Sequence, residues 1–180
     1  MLTFLVGGAR SGKSTLAVQM GEHQGGAVTF VATAEPFDDD LRERVQRHRL
    51  ERPAQWSTIE APVDLAAAVR AVPPEQFLIV DCLTVWMANL LVHLDTTDLI
   101  GFHIDDFVQA LTERRRLAER GTVVVSNEVG MGIHPESTLG RSYRDDLGRL
   151  NQRVASLADT SLLMVAGRAL HLENPWELLR

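Results

Sequence analysis

The chain has 180 residues, 45% of them hydrophobic and 23% charged, with a formal net charge of −6. Those values fit one globular domain with a sizeable core, and the acidic balance argues against nonspecific nucleic-acid binding, which needs a basic face to displace counterions. Cys82 is the only cysteine, which rules out an intramolecular disulfide, and no stretch approaches the ~18 uninterrupted apolar residues of a membrane span, so the expected compartment is the cytoplasm.

The first predicted strand, Leu2 to Val6, is too short for a signal-peptide core and runs directly into Gly7-Gly8-Ala9-Arg10-Ser11-Gly12-Lys13-Ser14. That segment is G-x-x-x-x-G-K-S, a P-loop. In such a loop backbone N–H groups cradle phosphate, the lysine reaches the β- and γ-phosphates, and the serine hydroxyl ligates Mg²⁺. Lys13 is the only lysine, every other one of the 18 Lys+Arg being arginine. A chain so biased keeps lysine where a thin, flexible stem is hard to replace by a planar fork. A helix is expected from Lys13 to about His23, with Gly21, Gly25 and Gly26 punctuating its exit. Strand, Gly-rich turn and helix N-terminus is the context a P-loop requires.

Ala27 to Thr33 reads as a second strand. Asp38, Asp39 and Asp40 then make an acidic helix start, favourable against the macrodipole, and the helix continues to Arg49 and stops before Pro53. Arg44, His48 and Arg52 share one face if the helix persists that far. Cations around an imidazole favour its neutral, nucleophilic form, and the same cations can hold an anionic phosphate against it. The chemistry this allows is attack on a nucleotide α-phosphate to form a phosphoramidate. Taken alone, His48 reads as a solvated histidine on a charged helix.

Gln55 to Glu60 is a short strand, Val63 to Val72 an Ala-rich helix ended by Pro73 and Pro74, and Phe77 to Asp81 a buried strand ending in a carboxylate. A hydrophobic strand closed by Asp81 fits the Walker B pattern, the second magnesium anchor beside Ser14. Leu83 to His93 reads as an apolar helix, Asp95 to Gly101 as a loop, Ile104 to Arg120 as an amphipathic helix stopped by Gly121, and Thr122 to Ser126 as a strand. The Gly-rich loop from Asn127 to Glu136 follows that strand, where open α/β sheets bind ligands. Asn127 and Glu128 are therefore candidate contacts to substrate or metal, the alternative being a plain connection. In the long helix from Ser137 to Ala158, Arg141, Arg149 and Arg153 either face phosphates or form a solvated or subunit-facing surface. Ser161 to Ala166 is the last clear strand. The alternation implies an α/β fold, a mostly parallel sheet with helices on both faces, in a single domain over 1–180. The remaining histidines have no metal-ligand spacing with Cys82 or one another.

Gly7 to Ser14, Arg44-Val45-Gln46-Arg47-His48-Arg49 with Arg52-Pro53, Asn127-Glu128-Val129-Gly130-Met131-Gly132, and Asn151-Gln152-Arg153 occur in this order over nearly the whole chain. Together they resemble the bifunctional adenosylcobinamide kinase / adenosylcobinamide-phosphate guanylyltransferase family of cobalamin biosynthesis. The P-loop is common to many NTPases; the H-x-x-x-R-P and N-E-V-G-M-G elements are much more specific. The resemblance implies phosphorylation of the aminopropanol hydroxyl of adenosylcobinamide with ATP or GTP. Transfer of GMP from GTP through a guanylylated histidine follows, giving adenosylcobinamide-GDP and pyrophosphate. It maps the histidine onto His48. It maps nucleotide contacts onto Gly7, Gly8, Ala9, Arg10, Ser11, Gly12, Lys13 and Ser14, onto Ala32, Thr33 and Ala34, onto Arg49, Leu50, Glu51 and Arg52, and onto Glu60 and Asp81. It also implies a RecA-like P-loop core and a homotrimer. The stretch from Arg168 to Trp176 departs from the short apolar end expected of the family, and an edge strand or subunit contact is its default reading. Competing readings are a kinase of another metabolite without the histidine step, a GTPase-like switch, and a RecA-like motor. The switch lacks an N-K-x-D motif, since Lys13 is the only lysine, and the acidic charge opposes the motor.

Overall fold

The structure, a computed structural model, describes residues 1–35 and 52–179. The helix expected over 38–49 lies outside the described residues. Seven strands form one sheet: β1 (Leu2–Gly7), β2 (Val28–Ala32), β3 (Ser57–Glu60), β4 (Phe77–Asp81), β5 (Thr122–Val125), β6 (Thr160–Val165) and β7 (Arg168–Leu172). Their spatial order is β3-β2-β4-β5-β1-β6-β7. Every neighbouring pair is parallel except β6 and β7. The described helices are α1 (Lys13–Gln24), α2 (Leu65–Ala71), α3 (Leu83–His93), α4 (Thr97–Leu117) and α5 (Thr138–Leu157).

The central strands are apolar on consecutive residues because both faces of the sheet are covered, as parallel strands require. One face sets Leu5, Phe30, Ile79 and Val123 against Ala17, Leu16 and Met20 of α1. The other sets Phe4, Val31, Leu78 and Val124 against side chains of α2, α3, α4 and α5, among them Leu65, Trp86, Phe107 and Leu150. Trp86 is fully buried, packs at 5.0 Å on Phe107, and donates its indole N–H to the Val63 carbonyl at 2.7 Å. That aromatic pair adds about 1 kcal/mol beyond its buried area and fixes α3 beneath the carboxyl ends of the strands.

Three local expectations are corrected. The amphipathic helix begins at Thr97, not Ile104: the Thr96 hydroxyl accepts the Leu99 N–H as an N-cap, and Asp98 lies in the first turn. Gly101 is tolerated inside the helix because the apolar face carried by Ile100, Phe107 and Leu111 is buried. The Ala-rich helix is shorter than expected, because the Asp64 side chain caps it by accepting the Ala67 N–H. Gly21 does not end α1. It lies inside the helix, and a Cβ there would meet the Trp56 ring at 2.7 Å; the helix stops at Gly25, whose φ is 63°.

Parallel pairing aligns the strand ends. Glu60, Ala32, Asp81, Val125 and Leu5 form one row across β3, β2, β4, β5 and β1. The loops after those residues therefore crowd one edge, the position where open α/β sheets bind ligands.

Candidate active site

Gly7 begins the P-loop at the end of β1. A Cβ on Gly7 would lie 2.3 Å from the Met164 carbonyl oxygen of β6, so only glycine allows the strands this close. Gly12 has φ 98° and caps α1, a conformation that favours glycine. Arg10, exposed at the tip, also has positive φ at 55°. The loop thus turns tightly enough to deliver Lys13 and Ser14 to the N-terminus of α1, where unpaired N–H groups and the helix dipole favour an anion.

Lys13 is only 6% exposed. Its ammonium donates to the Gly7 carbonyl at 3.0 Å, the Gly8 carbonyl at 2.7 Å and Ser11 Oγ at 3.3 Å. Burial pushes its pKa below the usual lysine value, while the acidic groups of Cys82 and Asp81 act against that shift. The Cys82 thiol is itself pushed up to about 11, by burial first and then by the Asp81 charge. It is therefore protonated at neutral pH, and the Asp81 carboxylate supplies the opposing field. A cation held mainly by neutral oxygens retains its charge for a phosphate.

Asp81 and Ser14 line one open pocket of about 350 Å³, together with Thr15, Gln19, Phe30 and Arg52. Arg52 places its guanidinium 3.4 Å from the centre of the Phe30 ring. Two oxygen donors in one pocket suit a hard cation that takes few protein ligands and completes its shell with phosphates and water. Among the described residues no group of three or more His, Cys, Asp and Glu gathers.

Of the other expected contacts, Ala32 and Glu60 fall in the row of strand ends beside Asp81. Thr33 is fully buried. Its hydroxyl donates to the Cys82 carbonyl at 2.8 Å and accepts the Cys82 N–H at 2.9 Å, and its own carbonyl accepts from Asn89 at 2.8 Å. These bonds tie the end of β2 to the turn after Asp81, so Thr33 braces the Asp81 turn, with half-buried Ala34 next to it. His48, Arg49, Leu50 and Glu51, with Arg44 and Arg47, lie outside the described residues.

Asn127 and Glu128 stand directly against the P-loop: the Glu128 N–H donates to the Gly7 carbonyl at 3.1 Å. The Asn127 N–H donates to Thr84 Oγ1 at 2.8 Å, and Asn151 donates to the Asn127 carbonyl at 3.0 Å. Ser126 Oγ and Asn151 Oδ1 are buried there with no hydrogen-bond partner among the described residues. Arg141 points to its own loop, at the Pro135 and Glu136 carbonyls, while Arg149 and Arg153 pair with Asp146 and Asp105.

The C-terminal stretch is the element that sequence reasoning undervalued. β7 is an antiparallel edge strand, joined to β6 by Ala166 and Gly167, both at positive φ. The Gly167 N–H donates to the Ser11 carbonyl at 2.9 Å, and Gly167 Cα lies 3.4 Å from where a Gly12 Cβ would stand. The hairpin therefore buttresses the P-loop. Ala166-Gly167 between two apolar runs was the signal for a hairpin; nothing local in the sequence announced its contact with Ser11.

Residues 3–172 match the family described as cobinamide kinase / cobinamide phosphate guanyltransferase. The chain is 38% identical over 175 residues to the bifunctional adenosylcobalamin biosynthesis protein CobP of Pseudomonas aeruginosa, covering 97% of this chain and 98% of that protein. It is 37% identical to the bifunctional adenosylcobalamin biosynthesis protein CobU of Salmonella typhimurium, covering 93% and 97%. Among solved structures it resembles the RadB recombinase, with TM-score 0.53, 19% identity, and coverage of 90% of this chain and 73% of that one. It also resembles an ATPase of a bacterial type III secretion system, with TM-score 0.56, 11% identity, and coverage of 90% and 50%. Those two likenesses carry the fold alone: an α/β, RecA-like P-loop architecture.

Proposed function

Because the chain belongs to the cobinamide kinase / cobinamide phosphate guanyltransferase family, we propose that it phosphorylates adenosylcobinamide with ATP or GTP and then transfers GMP from GTP onto the new phosphate. The product is adenosylcobinamide-GDP, an intermediate of cobalamin biosynthesis. The observation that carries the nucleotide site is the convergence of Lys13, Ser14 and Asp81. Lys13 rests on the P-loop carbonyls, and Ser14 and Asp81 line the pocket beside it.

In the kinase step the P-loop amides from Gly8 to Ser14 hold the phosphates, and Lys13 neutralises charge developing on the transferring γ-phosphoryl group. Ser14 and Asp81 would hold a magnesium ion, which would offset the negative charge of the phosphates. The transition state is loose, so positioning and electrostatics supply most of the acceleration.

In the guanylyl step His48 attacks the α-phosphorus of GTP. A nitrogen–phosphorus bond forms, the bond to the bridging oxygen breaks, and its electron pair leaves with pyrophosphate. An oxygen of adenosylcobinamide phosphate then attacks the same phosphorus and releases the histidine. Arg52, four residues along the chain from His48, lines the pocket with Ser14 and Asp81, which supports use of one nucleotide site for both halves. Ala32, Glu60 and Arg49 to Glu51 are assigned to that nucleotide as well. The working assembly is a homotrimer in the cytoplasm; no described helix is long and apolar enough to cross a membrane.

The test is incubation with GTP labelled at the α-phosphate, followed by a denaturing gel, comparing wild type with His48→Ala. Acid-labile, base-stable label on wild type and none on the variant is the expected result. Absence of label on a wild type that binds GTP leaves a kinase without the transferase half.

A further inference from the structure

The kinase step transfers a phosphoryl group to an alcohol, whose proton must go somewhere. Lys13 is a cation, and Ser14 and Asp81 are assigned to the metal. We propose that Glu128 is the general base that accepts this proton, an assignment that rests on the kinase reading above.

The nucleotide pocket opens on the α1 side of the sheet, at Ser14, Phe30, Arg52 and Asp81. The loop carrying Glu128 is anchored to the opposite face. The Asn127 N–H is bound by Thr84 of α3, and the Asn127 carbonyl by Asn151 of α5. The two sides share one acceptor. The Gly7 carbonyl oxygen accepts both the Lys13 ammonium at 3.0 Å and the Glu128 N–H at 3.1 Å. Phosphoryl transfer sets the attacking and leaving oxygens in line across phosphorus. An acceptor approaching from the side away from the nucleotide therefore meets the Glu128 loop.

The carboxylate is also held ready. Gly130 donates its N–H to Glu128 Oε1 at 2.6 Å, and a Cβ on Gly130 would stand 2.8 Å from that same oxygen. Glycine thus lets the loop fold beneath the carboxylate and fix one of its oxygens. The side chain is half-buried, and its second oxygen, Oε2, is assigned to the acceptor. As the alcohol oxygen bonds to the γ-phosphorus, Glu128 takes the hydroxyl proton. The bond from the γ-phosphorus to the bridging oxygen breaks, its electron pair stays on the nucleoside diphosphate, and the carboxylic acid later returns its proton to solvent. Guanylyl transfer does not need this residue, because its nucleophiles are an imidazole nitrogen and a phosphate oxygen.

The experiment uses the full-length protein with Glu128→Gln, which keeps an acceptor for the Gly130 N–H and removes the base. Kinase turnover is measured with adenosylcobinamide and ATP. Guanylyl transfer is measured separately, with adenosylcobinamide phosphate supplied directly. The expected result is a fall of about 100-fold in kinase kcat, an unchanged KM for ATP, and guanylyl transfer at the wild-type rate. Gly130→Ala displaces the carboxylate without removing it and is expected to lower kinase kcat about 10-fold with the same selectivity. Kinase kcat within about threefold of wild type in Glu128→Gln overturns the assignment, as does equal loss of both half-reactions. A wild type that binds ATP but does not phosphorylate adenosylcobinamide overturns the kinase reading, and this assignment with it.

Discussion

Lys13 and Arg114 are both buried cations, each 6% exposed, and each makes three hydrogen bonds to neutral oxygens. Lys13 stands at the carboxyl edge of the sheet and, among the described residues, bonds within its own loop, to Gly7, Gly8 and Ser11. Arg114 stands at the amino edge and bonds across the fold, to the Val72 carbonyl at 2.8 Å, the Gln76 carbonyl at 2.7 Å and Thr122 Oγ1 at 3.0 Å. Burial lowers the pKa of both, with Glu75 opposing the shift at Arg114. The partners decide the role. A rigid guanidinium fork that joins α4 to β5 and to the chain before β4 cannot move without opening the fold. A slim ammonium resting on a local loop can turn to a phosphate while the fold stays intact.

Replacing the two cations separates those roles. Lys13→Ala is expected to lower kinase kcat by about 1000-fold or more, with thermal unfolding close to wild type. Lys13→Arg is expected to fail as well, since a planar fork does not replace a point charge on a thin stem. Arg114→Met removes the donor from three acceptors, two of those bonds being buried, and is expected to cost about 3 kcal/mol, a fall of about 10 °C in Tm. Its nucleotide affinity, measured well below that Tm, is expected to match wild type. Loss of nucleotide binding in folded Arg114→Met breaks the comparison.

A smaller effect sharpens the picture of the amino edge. The Asp159 carboxylate accepts the Leu2 N–H at 2.7 Å and bonds Arg115. The Leu2 bond first, and Arg115 second, hold its pKa below the ordinary aspartate value. The stability it supplies is therefore present above about pH 4 and is lost as pH falls through the lower folded value. Asp159→Asn is expected to be less stable than wild type at neutral pH, with the difference closing below about pH 4 in a Tm-against-pH series. A constant difference across that range removes Asp159 as the titrating group.

The carboxyl edge was the more legible of the two. Gly7 to Ser14 fixes its own geometry through short-range sterics, and Phe77 to Val80 followed by Asp81 announces a buried strand with a carboxylate at its end. Most element bounds followed from local periodicity and caps, and β4 and α3 have the expected limits. The start of α4 did not, because Thr96 and Gly101 read as turn residues until the burial of Ile100 is known. What could not be read was long-range. The strand order, the Thr33 brace on Cys82, the Arg114 clamp and the seating of Gly167 on Ser11 all join residues distant in sequence, and no local pattern encodes such partners. Glu128 falls between these cases: its loop was recognisable, but its bond to the Gly7 carbonyl required the fold.

The most direct measurement is transfer of label from the γ-phosphate of GTP to adenosylcobinamide, by wild type and Lys13→Ala side by side, with unfolding of both followed by heat. The account predicts labelled adenosylcobinamide phosphate from wild type, none above background from the variant, and the same Tm for both. Equal label from both proteins, or a variant that loses activity only because it no longer folds, contradicts it.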